Sequence, residues 1–395
     1  MSLASRLSAL VCLAILNACV VGSDEVPSDG DEDGDSGTAS FAQTPDRLNI
    51  GFNGDATQFA YHPDWDTATV AQPGNRVCHT YISWDVAWQA PHAGAVGDES
   101  SRAYLDNWLA GAIGHCDEVF LAFKSMTHRA AVDEATYTRA FAAFVTVDWH
   151  AETGFAGALS FSTWNEPNNA GDDGNGLGVV IEANLSARYY LAAEALCRKR
   201  GCKVAAGDLA SNGTMWNDWM WNCANDNVAT AELCASFSSR NPHHLPASYL
   251  DKYKNEIAQH ANDAKYALGN DFRPAYFAYH GWHDTNEYLY DQQRCTSYDD
   301  CAIRRLLTSL GGSWGSVRLW NTEDGMGQKG ALTDHAQACG AAFLIRTASL
   351  SSRIERVFVT RLHGGDTQLV NTDHTMRPAF AVLAKRQLQY DSDCL

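Results

Sequence analysis

Basic residues are scarce in this 395-residue chain: 29 lysines and arginines face 47 aspartates and glutamates, for a formal net charge of -18. No segment offers the basic stripe that phosphate recognition requires, which excludes nucleic acid as a partner. The same balance favours a neutral ligand over an anionic one. No C-x-x-C pair occurs among the 12 cysteines, which argues against a structural zinc site. The apolar run from Leu7 to Leu16 is too short to span a bilayer as a mature helix. From Val20 to Thr44 there is almost no apolar residue able to anchor a core.

The N-terminus is organised in two parts. Arg6, the apolar run behind it and the small residues that follow read as a secretory signal over residues 1–19. Its end, Leu16-Asn17-Ala18-Cys19, resembles a bacterial lipobox in which Cys19 becomes the lipidated terminus. Cleavage without lipid is the alternative, since Asn17 is an unusual occupant of that motif. Residues 20–44 form an acidic, solvated linker. Its run Asp29 to Asp35 lacks the glycine and terminal glutamate of an EF-hand loop. The catalytic domain is expected over 45–395, in a protein secreted or held at the bacterial cell surface or in the periplasm. A membrane enters only through the lipid, and the expected state is a monomer.

Past the signal, ten cysteines remain, an even number that suits disulfides in an exported protein. Three pairs are close in sequence: Cys197 with Cys202, Cys223 with Cys234, and Cys295 with Cys301. Cys78, Cys116, Cys339 and Cys394 pair among themselves with connectivity left open.

Short apolar, β-rich runs alternate with segments of helical period. The strands are expected at Leu48–Phe52, Val77–Trp84, Glu118–Phe123, Ala158–Thr163, Lys203–Gly207, Ala275–Tyr279, Val317–Trp320 and Arg356–Thr360. Helical spacing is plain in Tyr104, Leu105, Trp108 and Leu109, and in Ile303, Leu306, Leu307 and Leu310. Asp133 reads as a helix cap, Pro246 as the first turn of another helix, and Arg377-Pro378 as the entry to the last. The first unit is the weakest, because Asp55 to Asn75 shows little helical period. Eight strand–helix repeats predict a parallel α/β sheet closed as a (β/α)8 TIM barrel. Long insertions, Asn168–Glu182 and Ser211–Leu245, fall on its carboxyl-terminal face, where such barrels build their sites.

Two acidic motifs end two of those strands: Trp164-Asn165-Glu166-Pro167 and Trp320-Asn321-Thr322-Glu323-Asp324-Gly325. Pro167 stops its strand by removing a donor. A pair of glutamates facing across a sugar is what glycosidic hydrolysis requires, one to protonate the leaving oxygen and one to capture the anomeric carbon.

Asn-Glu-Pro ending strand four, Thr-Glu-x-Gly ending strand seven and Tyr279-His280 ending strand six together resemble the clan A retaining glycoside hydrolases. Within that clan, Trp-Asn-Glu-Pro-Asn and the entry Arg377-Pro378-Ala379-Phe380 are similar to the β-xylosidase and cellulase-like families. The resemblance spans Leu48 to Tyr390. It implies Glu166 as acid/base, Glu323 as nucleophile, and a substrate-contacting role for His280. Asn165 would hold a sugar hydroxyl. Asn53, Asp85, Lys124, Asp208 and His363 are further rim candidates, and Trp216, Trp219 and Trp282 are candidate stacking platforms. Arg361-Leu362-His363-Gly364-Gly365 stands where many clan members carry a tryptophan. The expected activity is endo-acting retaining hydrolysis of a neutral β-glycan, with no cofactor. The alternatives are a non-catalytic carbohydrate-binding barrel and a metal-dependent hydrolase or lyase. For the latter, His280 and His283 lack an evident third ligand.

Overall fold

In a computed structural model, the described residues are 47–69, 76–95, 99–125, 132–168, 181–210, 246–290, 301–326, 332–365 and 367–394. The signal, Cys19, the linker, Trp216, Trp219, Cys223, Cys234 and Cys295 lie outside them. Eight strands close into one barrel in sequence order, each parallel to its neighbours. They are β1 (Asn49–Asn53), β2 (Val77–Ser83), β3 (Glu118–Lys124), β4 (Ala158–Ser162), β5 (Lys203–Leu209), β6 (Tyr276–His280), β7 (Arg318–Asp324) and β8 (Ile354–Thr360). The (β/α)8 architecture is the one the sequence pattern predicts.

The described helices are α1 (His62–Thr69), α2 (Arg102–Ala112), α3 (Glu134–Thr146), α4 (Trp149–Thr153), α5 (Ala183–Arg200), α6 (Pro246–His260), α7 (Trp282–Tyr290), α8 (Ala302–Ser309), α9 (Asp334–Ala348) and α10 (Pro378–Ala384). Their starts follow local chemistry. Ser101, Asp133 and Thr333 accept hydrogen bonds from the backbone N–H of Tyr104, Thr136 and Ala336, each satisfying a donor the helix cannot use internally. Pro378 occupies the first turn of α10, where its missing N–H costs nothing. The weak helical period after β1 still gives regular structure over its described part: a 3-10 turn at Ala56–Ala60 and then α1. With eight residues, α1 is too short to show a convincing apolar period, and Trp65 docks it edge-on against Phe52 and Phe380.

Both faces of the sheet are buried, so the strands read as continuous apolar runs. The barrel interior holds Val77, Phe120, Ala122, Ala205, Ala278, Trp320 and Phe358, with Phe120 stacked on Phe358 at 5.6 Å. Below this layer Glu118 receives two bonds from Arg356, at 2.6 and 3.0 Å, and one from Lys203 at 2.9 Å. The Arg356 guanidinium lies 4.2 Å over the Trp320 ring. A carboxylate buried there is tolerable only because both oxygens have cationic partners.

The open cysteine connectivity resolves as Cys78–Cys116 and Cys339–Cys394, and Cys197–Cys202 pairs as expected. Cys301 is also disulfide-bonded. Among the described residues, no helix is long and apolar enough to cross a membrane.

Candidate active site

The carboxyl ends of β4, β5, β6 and β7 converge on one group of ionisable side chains. Glu166 follows β4 with φ of 48°, and Asp208 on β5 has φ of 61°. Both occupy the left-handed region that side chains other than glycine seldom adopt, so their neighbours must hold them there. The Glu166 N–H donates to the Asp208 carbonyl at 2.9 Å, which ties the two turns together. Register irregularities between Gly207 and Leu209, and between Tyr279 and His280, fall at the same level. Such bulges re-aim a side chain at a strand end.

His280 occupies the centre of the group. Its Nδ1 lies 2.9 Å from Glu166 Oε1. Its Nε2 approaches Glu323 Oε1 at 3.3 Å and Asp208 Oδ1 at 3.4 Å, ion-pair contacts longer than ordinary hydrogen bonds. The His280 and Asp208 side chains are fully buried, whereas those of Glu166 and Glu323 are 27% and 13% exposed. The two glutamates are therefore the members of the group that a ligand can reach.

Burial alone would depress the His280 pKa, but Glu323, Asp208 and Glu166 together raise it well above its ordinary value. Burial would raise Asp208, yet His280, Ser162 and Thr322 hold it below the usual carboxylate range. Burial raises Glu323, and the adjacent Glu166 adds to this, while His280 and Tyr81 pull the other way. The physical picture is an imidazolium paired with ionised Asp208, beside a Glu323 whose ionisation is opposed by burial and by the Glu166 charge.

Tyr81 on β2 was not singled out by sequence reasoning. Its hydroxyl bonds to Glu323 and accepts from the Asn53 amide, and the Lys124 ammonium sits 4.3 Å over its ring. Burial, then Glu323, raise its pKa well above 10, so the phenol keeps its proton and donates. A tyrosine in mid-strand carries no motif; its alternation into the barrel mouth was the one available signal.

The remaining candidates are placed as follows. Asp208 does not line the rim as expected: it is completely buried, with Ser162 and Thr322 both donating to its carboxylate. Trp282 is 8% exposed, its indole N–H donating to Glu323 Oε2 at 3.2 Å, so it braces a carboxylate and offers little open face for stacking. Asn53 is buried beneath Tyr81, and Lys124 pairs with Glu99 at 3.2 Å. Asp85 accepts a hydrogen bond from the Ser83 hydroxyl just beyond β2. His363 stacks on Tyr61 with ring centroids 3.8 Å apart. Asn165 is partly buried, and its Oδ1 lacks a hydrogen-bond partner among the described residues. Trp164 packs the other way, into the core near Tyr189.

Solved structures share this architecture. A glucosidase from Croceicoccus marinus superposes with a TM-score of 0.51 at 11% identity, over 86% of this chain and 65% of that one. For a GH39 β-xylosidase from Caulobacter crescentus the values are 0.53, 10%, 88% and 72%. For a GH5_18 protein from Bifidobacterium longum subsp. infantis they are 0.50, 12%, 86% and 79%. What these structures share with the chain is the closed (β/α)8 barrel. The chain thus spans about two thirds of the length of the Croceicoccus glucosidase. No family model matches the sequence, and no curated protein matches it.

Proposed function

We propose that this protein is a retaining β-glycoside hydrolase in which Glu166 is the acid/base and Glu323 the nucleophile. The observation that carries the reading is the single His280 imidazole in contact with both glutamates at the mouth of the barrel. A binding protein has no use for three carboxyl groups packed around a buried cation, an arrangement costly to desolvate. In the first step Glu323 attacks the anomeric carbon as Glu166 gives its proton to the departing oxygen. A glycosyl ester on Glu323 results. Esterification removes the Glu323 charge and lowers the proton affinity of Glu166, which then takes a proton from the water that releases the sugar. Neither step calls for a cofactor.

The proposed substrate is a neutral β-linked glycan cut internally. Trp88, 48% exposed just beyond β2, presents an open ring on the same face as the glutamates. The connections after β4 and β5 are long enough in sequence to wall a cleft. The leader further supports export of a barrel from residue 45, secreted or tethered through Cys19 by the 20–44 linker, and we propose that it acts as a monomer.

The deciding experiment measures hydrolysis of aryl β-glycosides and soluble β-glycans by the wild type, Glu166→Gln and Glu323→Gln. Proton NMR of the first-formed product accompanies it. The expected result is retained β-configuration and a loss of at least about a thousandfold in kcat for Glu323→Gln. An α-configured first product, or wild-type rates in both variants, defeats the assignment.

A further inference from the structure

We propose that His62, Asp66 and His115 form a zinc-binding site on the outer flank of the barrel, apart from the glutamate group. One ring nitrogen from each histidine and a carboxylate oxygen of Asp66 lie within 4.8 Å of one another. His62 and Asp66 are one helical turn apart on α1, which directs both side chains to the same face. His115 follows α2 and is held beside the Cys78–Cys116 disulfide, with its N–H bonded to the Ala112 carbonyl.

Two orphaned atoms distinguish this group from an ordinary ion pair. His62 is 3% exposed, and its Nδ1 has no hydrogen-bond partner among the described residues. Asp66 Oδ1 is likewise buried and unpartnered. The 2.7 Å contact between His115 Nδ1 and Asp66 Oδ2 accounts for neither atom. A buried polar atom left in this way costs free energy that a bound cation would recover.

Two imidazoles and a carboxylate are a nitrogen-and-oxygen donor set that suits Zn²⁺. A tetrahedral ion with bonds of about 2.0–2.1 Å separates its ligand atoms by about 3.4 Å. That spacing falls between the 2.7 Å pair and the 4.8 Å limit of the group, so shifts on the rotamer scale bring all three into place. The Asp66 and His115 side chains are 21% and 24% exposed, which leaves access for a water as fourth ligand. Arg76, the nearby cation, is engaged by Asp117 at 2.8 Å and by the Gly114 carbonyl at 2.7 Å. Zinc would join α1, a short helix of only eight residues, to the end of α2, and so secure the first βα unit of the barrel.

The test uses the full chain stripped of metal by chelator and dialysis, then titrated with Zn²⁺ by calorimetry and with Co²⁺ by visible absorption. Thermal melts are recorded with and without zinc. Expected are one equivalent of zinc, a higher Tm on binding, and a visible Co²⁺ band of four-coordinate intensity. Asp66→Asn and His115→Gln should each weaken zinc binding at least about tenfold, while His92→Ala, at an exposed histidine elsewhere, should match the wild type. If either ligand variant fails to fold, the wild-type stoichiometry and Co²⁺ band decide alone. Absence of stoichiometric binding, or equal affinity in folded ligand variants, overturns the site. These readouts are independent of glycosidase activity.

Discussion

His280 Nδ1 lies 2.9 Å from Glu166 Oε1, and the same ring reaches Glu323 through Nε2 at 3.3 Å. A buried cation placed between the proposed acid and nucleophile governs how the proton they compete for is divided. Asp208, completely buried behind the ring, keeps that cation charged. Four strand ends supply one electrostatic unit.

Removing the cation should therefore alter the pH profile as well as the rate. In His280→Gln, Glu323 loses the charge that opposes its burial, so its pKa rises further. A carboxyl must be ionised to attack, so the acid limb of kcat/KM should move to higher pH, with kcat down about a hundredfold or more. Asp208→Asn should displace the limb far less, because it removes a negative charge that itself raises Glu323 while also weakening the imidazolium that lowers it. A rate loss with an unchanged acid limb would show that His280 only shapes the pocket.

The Tyr81 hydroxyl stabilises Glu323 in its ionised form. Tyr81→Phe keeps the ring beneath Lys124 but removes that donor. Expected are a roughly tenfold fall in kcat/KM, an acid limb displaced upward, and a Tm within a few degrees of wild type. Rate profiles from about pH 4 to 8 check both.

Gly281 is required by close approach. A Cβ there would lie 2.0 Å from Asp324 Oδ2 and 2.3 Å from Asn321 Nδ2, while the Gly281 N–H bonds the Glu323 carbonyl at 2.7 Å. Gly281→Ala must push β6 and β7 apart at the level of the glutamates. A Tm loss of several degrees with near-complete loss of activity is expected, measured by calorimetry and by turnover of the best substrate.

Asp284 provides a stability test with a defined sign. Burial raises its pKa from 3.8 to about 7, against the backbone N–H donors of Ile303 and Ala302. The folded state thus binds its proton more tightly than the unfolded state. The corresponding stability is fully present below about pH 3.8 and is lost as pH rises through about 7. Asn at this position does not titrate. The Tm of Asp284→Asn relative to wild type should consequently improve between pH 5 and pH 8, and a difference constant with pH would contradict the shift. Glu118 behaves oppositely. Burial opposes its ionisation, but Arg356 and Lys203 hold its pKa at about 2, so its contribution is present above about 4.5 and is lost as pH falls towards 2.

The strand pattern was legible because parallel barrel strands are buried on both faces and so read as short apolar runs between helices. All eight strands were located, most within one or two residues. β7 runs on to Asp324, past the polar Asn321, Thr322 and Glu323, because hydrogen bonding to β6 and β8 outweighs their low apolar character. α1 was missed for the complementary reason: its order comes from Trp65 meeting Phe52 and Phe380, contacts remote in sequence.

By itself, the sequence determined the alternation that closes a barrel, the placement of Glu166 and Glu323 at strand ends, and the acidic balance of the chain. Each is a local property, carried by periodicity, a short motif or composition. Tertiary structure alone decided that Asp208 is buried behind His280, that Trp282 and Tyr81 both grip Glu323, and that Cys78 pairs with Cys116. It also brought His115 to His62 and Asp66. These relationships depend on where bulges turn a side chain and on which distant segments meet when the barrel closes, and neither leaves a periodic trace along the chain.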